Sequence, residues 1–149
     1  MASNYEQFSE AIPNITPEEK EWLQRVLNLE IEDDEDFKTI RQEFPDCARE
    51  GDWPGFNFKF DEDGDFWFYA EEVYNEINLV TILSAFLKKF RPETVLIITI
   101  ACSCSKPRIG EFGGGWLAIS AKEYAGGNTW DAAKEAAKIL ESELQRGCK

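Results

Sequence analysis

Two stretches of the 149-residue sequence concentrate the side chains that could do chemistry. The first is Glu30-Ile31-Glu32-Asp33-Asp34-Glu35-Asp36, the densest charge run in the chain. Its carboxylates, Glu30, Glu32, Asp33, Asp34, Glu35 and Asp36, repel one another and attract Lys and Arg on another surface. The second is Cys104-Ser105-Lys106-Pro107-Arg108-Ile109-Gly110-Glu111-Phe112-Gly113-Gly114-Gly115. Consecutive glycines can leave backbone N–H groups exposed and take positive φ. With Lys106 and Arg108 beside them, Gly113, Gly114 and Gly115 would cradle an anion as backbone nests do. An enzyme built there would use Glu111 or Glu71 as base and Cys102 or Cys104 as nucleophile, with a thiol pKa depressed by Lys106 and Arg108. A geometric role for the glycines is the competing expectation, and glycine-rich connections more often serve geometry. The stretch is not a Walker loop, since no Gly-Lys-Ser/Thr follows and no helix opens after it.

Other chemistry is excluded by residue type. The chain has no histidine, which removes Ser-His-Asp and Cys-His arrangements and every zinc site that uses histidine. A four-cysteine zinc site would need Cys47, Cys102, Cys104 and Cys148 to converge, and Cys-x-Cys spacing is poor for that. Asp61-x-Asp63-x-Asp65 superficially resembles a calcium loop, but Gly64 falls too early and no suitable helix follows. No metal and no cofactor are expected.

The charge layout gives the acidic run its weight. Residues 1–65 carry 19 Asp/Glu against 6 Lys/Arg, whereas residues 66–149 carry 10 of each, so the net charge of −13 lies in the leading half. Phosphate contacts need a positive footprint, so direct binding of nucleic acid through that half is not expected. No apolar run is long enough to cross a bilayer. Residues 1–10 lack the basic and apolar regions of a signal peptide, so the expected setting is cytoplasmic, with reduced cysteines.

The elements that must position these groups follow from periodicity and punctuation. Ile15-Thr16-Pro17-Glu18-Glu19 is a helix start with a capping box, and Trp22, Leu23, Val26 and Leu27 share a face behind it. A short helix is expected over Asn4 to Ala11, and another carries Phe37, Ile40, Arg41 and Phe44 up to Pro45. Phe56, Phe58 and Phe60 alternate with polar residues as a strand, Asp63-Gly64 makes a hairpin turn, and Phe66 to Ala70 returns. Asn75 or Asn78 caps a helix striped by Leu79, Leu83, Phe86, Leu87 and Phe90 and closed by Pro92. Thr94 to Ala101 and Trp116 to Ala121 are further strands, joined by a long loop. Gly126-Gly127 is read as a break, and a last helix from Thr129 is given Trp130, Ala133, Ala137, Leu140 and Leu144 as its inner face. The sum is one α+β domain over residues 1–149. An acidic helical segment occupies residues 1–50, and a β-β-α-β-β core with a four-stranded, mainly antiparallel sheet occupies residues 53–125. The C-terminal helix spans 128–146.

Asp65-Phe66-Trp67-Phe68-Tyr69-Ala70-Glu71-Glu72, Phe86-Leu87-Lys88-Lys89-Phe90-Arg91-Pro92 and the Cys104–Gly115 stretch together resemble a family of small acidic proteins of unknown function, associated with bacteria, bacteriophages and other mobile elements. The resemblance covers residues 55–125 and brings no catalytic residue. It makes inhibitors of host-defence or DNA-handling proteins the class to consider. The expected function is therefore binding, not catalysis: carboxylates of the acidic run set against a basic protein surface, such as that of a nucleic-acid-binding protein, in the manner of a DNA mimic. The alternative is an anion or small-ligand site, or an enzyme, on the Lys106–Gly115 loop.

Overall fold

The structure, a computed structural model, describes residues 2–147. The elements are β1 (Asn4–Ile12), α1 (Pro17–Leu27), α2 (Asp34–Glu43), β2 (Asn57–Phe60), β3 (Phe66–Ala70), α3 (Glu76–Phe90), β4 (Leu96–Cys104), β5 (Gly113–Ile119), β6 (Tyr124–Asn128) and α4 (Thr129–Gly147). The strands form one antiparallel sheet in the order β2-β3-β1-β4-β5-β6. The α+β class holds, but the sheet has six strands where four were expected.

Both additional strands were hidden by local sequence. A short helix is expected over Asn4 to Ala11, yet these residues belong to β1, which lies mid-sheet, pairing Ile12 with Phe66 on one side and Asn4 with Cys104 on the other. Its charged residues mask the two-residue alternation that leaves Phe8 and Ile12 in the core, and tertiary pairing overrides weak local propensity. Past Gln7 its ladder with β4 gives way. There the Glu10 carboxylate accepts from the Thr99 N–H at 3.3 Å and the Thr99 hydroxyl at 3.5 Å. The second hidden strand, β6, contains the Gly126-Gly127 pair that was read as a break. A Cβ at Gly127 would sit 2.7 Å from Trp116 Nε1, and one at Gly126 3.0 Å from Leu117 Cδ2. Glycine is there to let side chains of β5 lie across the neighbouring backbone.

α1 and α3 start at the caps the sequence predicts. Thr16 and Glu19 make the reciprocal capping box of α1, Asn75 caps α3 and Arg91 ends it. α1, α2 and α3 cover one face of the sheet, where Leu23, Val26, Ile40, Leu79, Leu83 and Phe86 meet Phe8, Phe66, Phe68, Ile98 and Leu117. Buried Asn78 ties the preceding loop to α3, accepting from the Ala48 N–H at 2.8 Å and donating to the Asp52 carbonyl at 3.3 Å. The other sheet face has no such cover. On it Trp67 and Tyr69 stack at 4.2 Å, Trp67 Nε1 donates to Ser9 Oγ at 2.8 Å, and Val95, Ile97 and Trp116 are exposed. No helix among the described residues is long and apolar enough to cross a membrane.

The inner face assigned to α4 is also corrected. None of its residues is buried; Leu140 is 62% exposed and Leu144 71%. The helix exists as its apolar spacing requires, but beyond Trp130, which lies over Gly113, its stripe covers no surface of the described residues.

Candidate functional site: an acidic turn and a carboxylate-rimmed cavity

The acidic run folds into a turn and the first turn of α2. Asp33 is the helix cap: its Oδ1 accepts the Glu35 and Asp36 N–H groups at 3.0 Å each. The Asp33 N–H donates to the Glu30 carbonyl at 3.1 Å, and the Asp36 carboxylate closes the turn by accepting the Glu30 N–H at 2.9 Å. Asp34, Glu35 and Asp36 stand at the positive end of the helix dipole, which makes their crowding tolerable. Glu30, Glu32, Asp33, Asp34 and Glu35 are exposed and Asp36 is half-buried. The ion pairs among the described residues are Arg25–Glu43 at 3.1 Å, Arg91–Glu19 at 2.9 Å and Lys138–Glu135 at 3.3 Å. None involves the run. Five of its carboxylates are thus exposed side by side, and none pairs with a cation among the described residues.

Glu19 shows the opposite treatment. It is buried, caps α1, and accepts from Arg91 Nε at 2.9 Å and Nη2 at 3.1 Å, while Arg91 Nη2 also reaches the carbonyls of Pro13 and Asn14. Burial pushes the Glu19 carboxyl up, but the Arg91 hydrogen bond, the Thr16 N–H and the Arg91 charge outweigh it and hold the group below its ordinary value. A carboxylate of the leading half is here neutralised by a cation of the trailing half.

The glycine-rich stretch is placed differently from expectation. Gly113, Gly114 and Gly115 belong to β5, which begins three residues before the expected Trp116, and they pair with Cys102, Ala101 and Ile100. The Gly114 N–H donates to Thr129 Oγ1 at 2.9 Å, and a Cβ at Gly113 would lie 2.7 Å from the Trp130 ring. These glycines admit α4's first turn against the sheet. Lys106 and Arg108 are exposed in the preceding loop, and Glu111 is half-buried there with its Oε2 buried and unpartnered. Cys104 is buried and Cys102 half-buried. The thiol expected to be acidified is shifted the other way: burial, then the Glu6 carboxylate, push Cys102 up. Cys148, needed for the four-cysteine arrangement, lies outside the described residues. Among those residues no three His, Cys, Asp or Glu side chains assemble to hold a metal.

Cys102 instead lines a cavity of about 490 Å³ on the helix side of the sheet, floored by Gly115, Gly126 and Gly127. Tyr74, Tyr124 and Trp130 supply aromatic walls, and Glu6, Glu76 and Asp131 supply carboxylates; no Lys or Arg lines it. Burial, followed by the charges of Glu76 and Glu6, drives the Tyr74 hydroxyl far above its ordinary value. A negative, aromatic hollow of this kind suits a guanidinium or ammonium group. Sequence reasoning missed Glu6, Tyr74, Glu76 and Asp131 as a set, because they meet only once β1 is recognised as a strand beside β4.

Glu71 is exposed just past β3, and its carbonyl accepts from the Gln7 side chain at 2.8 Å. No model of a known protein family, no curated protein and no solved structure matches this chain.

Proposed function

We propose that the protein is an acidic interaction module whose Glu30–Asp36 turn docks on a basic surface of a partner protein. The observation that carries this reading is the turn itself: contiguous carboxylates, exposed, none bonded to a cation of the described chain. Such a charge array accelerates encounter with a Lys/Arg-rich surface and favours it over a neutral one. Carboxylates spaced along a turn can occupy cationic sites that otherwise hold DNA phosphates. The resemblance to mobile-element proteins makes a nucleic-acid-binding or host-defence protein the first class to test.

The test uses the partner captured at low salt from the native host. Affinity should fall steeply as salt is raised, because exposed charges are screened within about 8–10 Å at physiological ionic strength. Asp34→Lys with Glu35→Lys should weaken binding by about tenfold or more. Neither side chain caps α2, so the change leaves the Asp33 cap in place. An affinity indifferent to salt and to this reversal overturns the reading.

A second reading is favoured by the cavity: a small organic cation held between Tyr74, Tyr124 and Trp130 with Glu6, Glu76 and Asp131 as counter-charges. It is distinct from the anion site expected at Lys106–Gly115, where the Gly114 N–H donates to Thr129 Oγ1. Titration with simple guanidinium and alkylammonium compounds should change tryptophan fluorescence in the wild type, and not in Glu6→Gln with Glu76→Gln.

A further inference from the structure

From Asp131 to Gly147 every residue of α4 is exposed. The helix is held at its first turn, where the Trp130 ring lies over Gly113 and Thr129 Oγ1 accepts the Gly114 N–H. Its 19 residues extend about 28 Å. In a protein most of a helix's stability normally comes from packing an apolar face. The apolar face is present. Trp130, Ala133, Ala137, Leu140 and Leu144 recur at alternating spacings of three and four, the repeat of a coiled-coil seam. That period suits another helix better than a sheet.

We propose that α4 pairs with α4 of a second copy of this chain, antiparallel, to form a homodimer. Side-chain size selects the direction. When Ala137 faces Leu140 of the second copy, Ala133 faces Leu144, so each layer beyond the anchored Trp130 sets a large residue against a small one and the helices keep an even separation. In a parallel pair Ala would meet Ala and Leu would meet Leu, leaving gaps and bulges along the same seam. Charge selects the same direction. Lys134 and Glu141 flank the seam at equivalent heptad positions, and positions of that kind face each other only between antiparallel helices, giving a Lys134–Glu141 contact twice. Net charge agrees. The trailing half, residues 66–149, is balanced at 10 acidic and 10 basic residues, whereas the leading half carries −13. Joining through α4 lets two acidic molecules associate through their neutral parts. So short a seam buries less than the standard interface, so the dimer forms and dissociates with concentration.

Sedimentation equilibrium of the full chain, from micromolar to near-millimolar, tests this. The wild type should pass from monomer to dimer. Leu140→Glu with Leu144→Glu should stay monomeric throughout with unaltered melting of the dilute protein, since both residues are exposed in the monomer. Lys134→Glu should weaken the dimer about five- to tenfold, and adding Glu141→Lys to it should restore the wild-type constant. A monomer at every concentration overturns the proposal, as does a dimer that survives the double leucine change, which would place the contact on the β6 edge or the exposed sheet face. A dimer that Lys134→Glu leaves intact, or that Glu141→Lys does not rescue, overturns the antiparallel pairing.

Discussion

At the scale of single residues, carboxylates are used here in opposite ways. Glu19 is buried against Arg91, and the turn carboxylates are held out. For Glu19 the folded-state pKa is depressed. The stabilisation it gives is therefore fully present above its unfolded value and is lost as pH falls through the folded one. Glu19→Gln should lower stability by about 2–4 kcal/mol at neutral pH, by leaving Arg91 without its charge partner, and should flatten the acid limb of the stability profile; chemical denaturation across the acid range measures both. Gly55 is a second residue-scale case. Its φ is +86°, its carbonyl accepts the Asn75 N–H at 2.8 Å, and an added Cβ would lie 2.5 Å from Asn75 Cβ. Both strain and contact oppose a side chain, and neither can relax without moving the cap of α3. Gly55→Ala should cost about 2 kcal/mol or more, read from the midpoint of urea unfolding.

At the scale of elements, what could be read in the sequence divides by the range of the interactions that specify it. α1, α2 and α3 were legible because their signals are local: Thr16 with Glu19, Asn75, Pro45 and Pro92 mark ends, and apolar spacing marks the face. The β2–β3 hairpin was legible for the same reason, with Gly64 at φ +85° in its turn. β1 and β6 were not. Glu6 and Glu10 interrupt one pattern and Gly126-Gly127 the other, and both segments are strands because of neighbours distant in sequence or packed across their backbone. The candidate site shared that fate: the acidic turn is contiguous and was visible, whereas the cavity draws on β1, the β3–α3 connection, β4, β6 and α4. If β1 is the middle strand, its core side chain matters as much as any in α3. Phe8→Ala should destabilise by about 3–4 kcal/mol, a loss that a peripheral helix over those residues would not show. Calorimetry or urea unfolding separates the two.

At the scale of the whole molecule, the charge asymmetry in the sequence maps onto an asymmetry of task. The acidic turn precedes α2, whose core side chain Ile40 is fixed among those of α1 and α3. The balanced trailing half contributes the cavity's far wall and a helix with nothing to cover. The two proposals are therefore separable. Reversing Asp34 and Glu35 should leave the monomer–dimer constant within about twofold, because that change is confined to the leading half and exposed charges are screened beyond about 10 Å. The Leu140/Leu144 change should leave the intrinsic affinity of one acidic turn for its partner intact.

The strand that comes first in the chain lies in the middle of the sheet, and this constrains how the protein is made. Ile12 can meet Phe66 once β3 has emerged, but Asn4 cannot find Cys104 until β4 has left the ribosome. The nascent chain must keep Phe8 and Ile12 waiting while the acidic segment emerges, and its own like-charge repulsion helps to keep that segment from collapsing early. Folding should thus be a late, all-at-once event in synthesis. A stalled chain ending near Phe90 should remain open to protease, and one long enough to expose β4 and β5 should not.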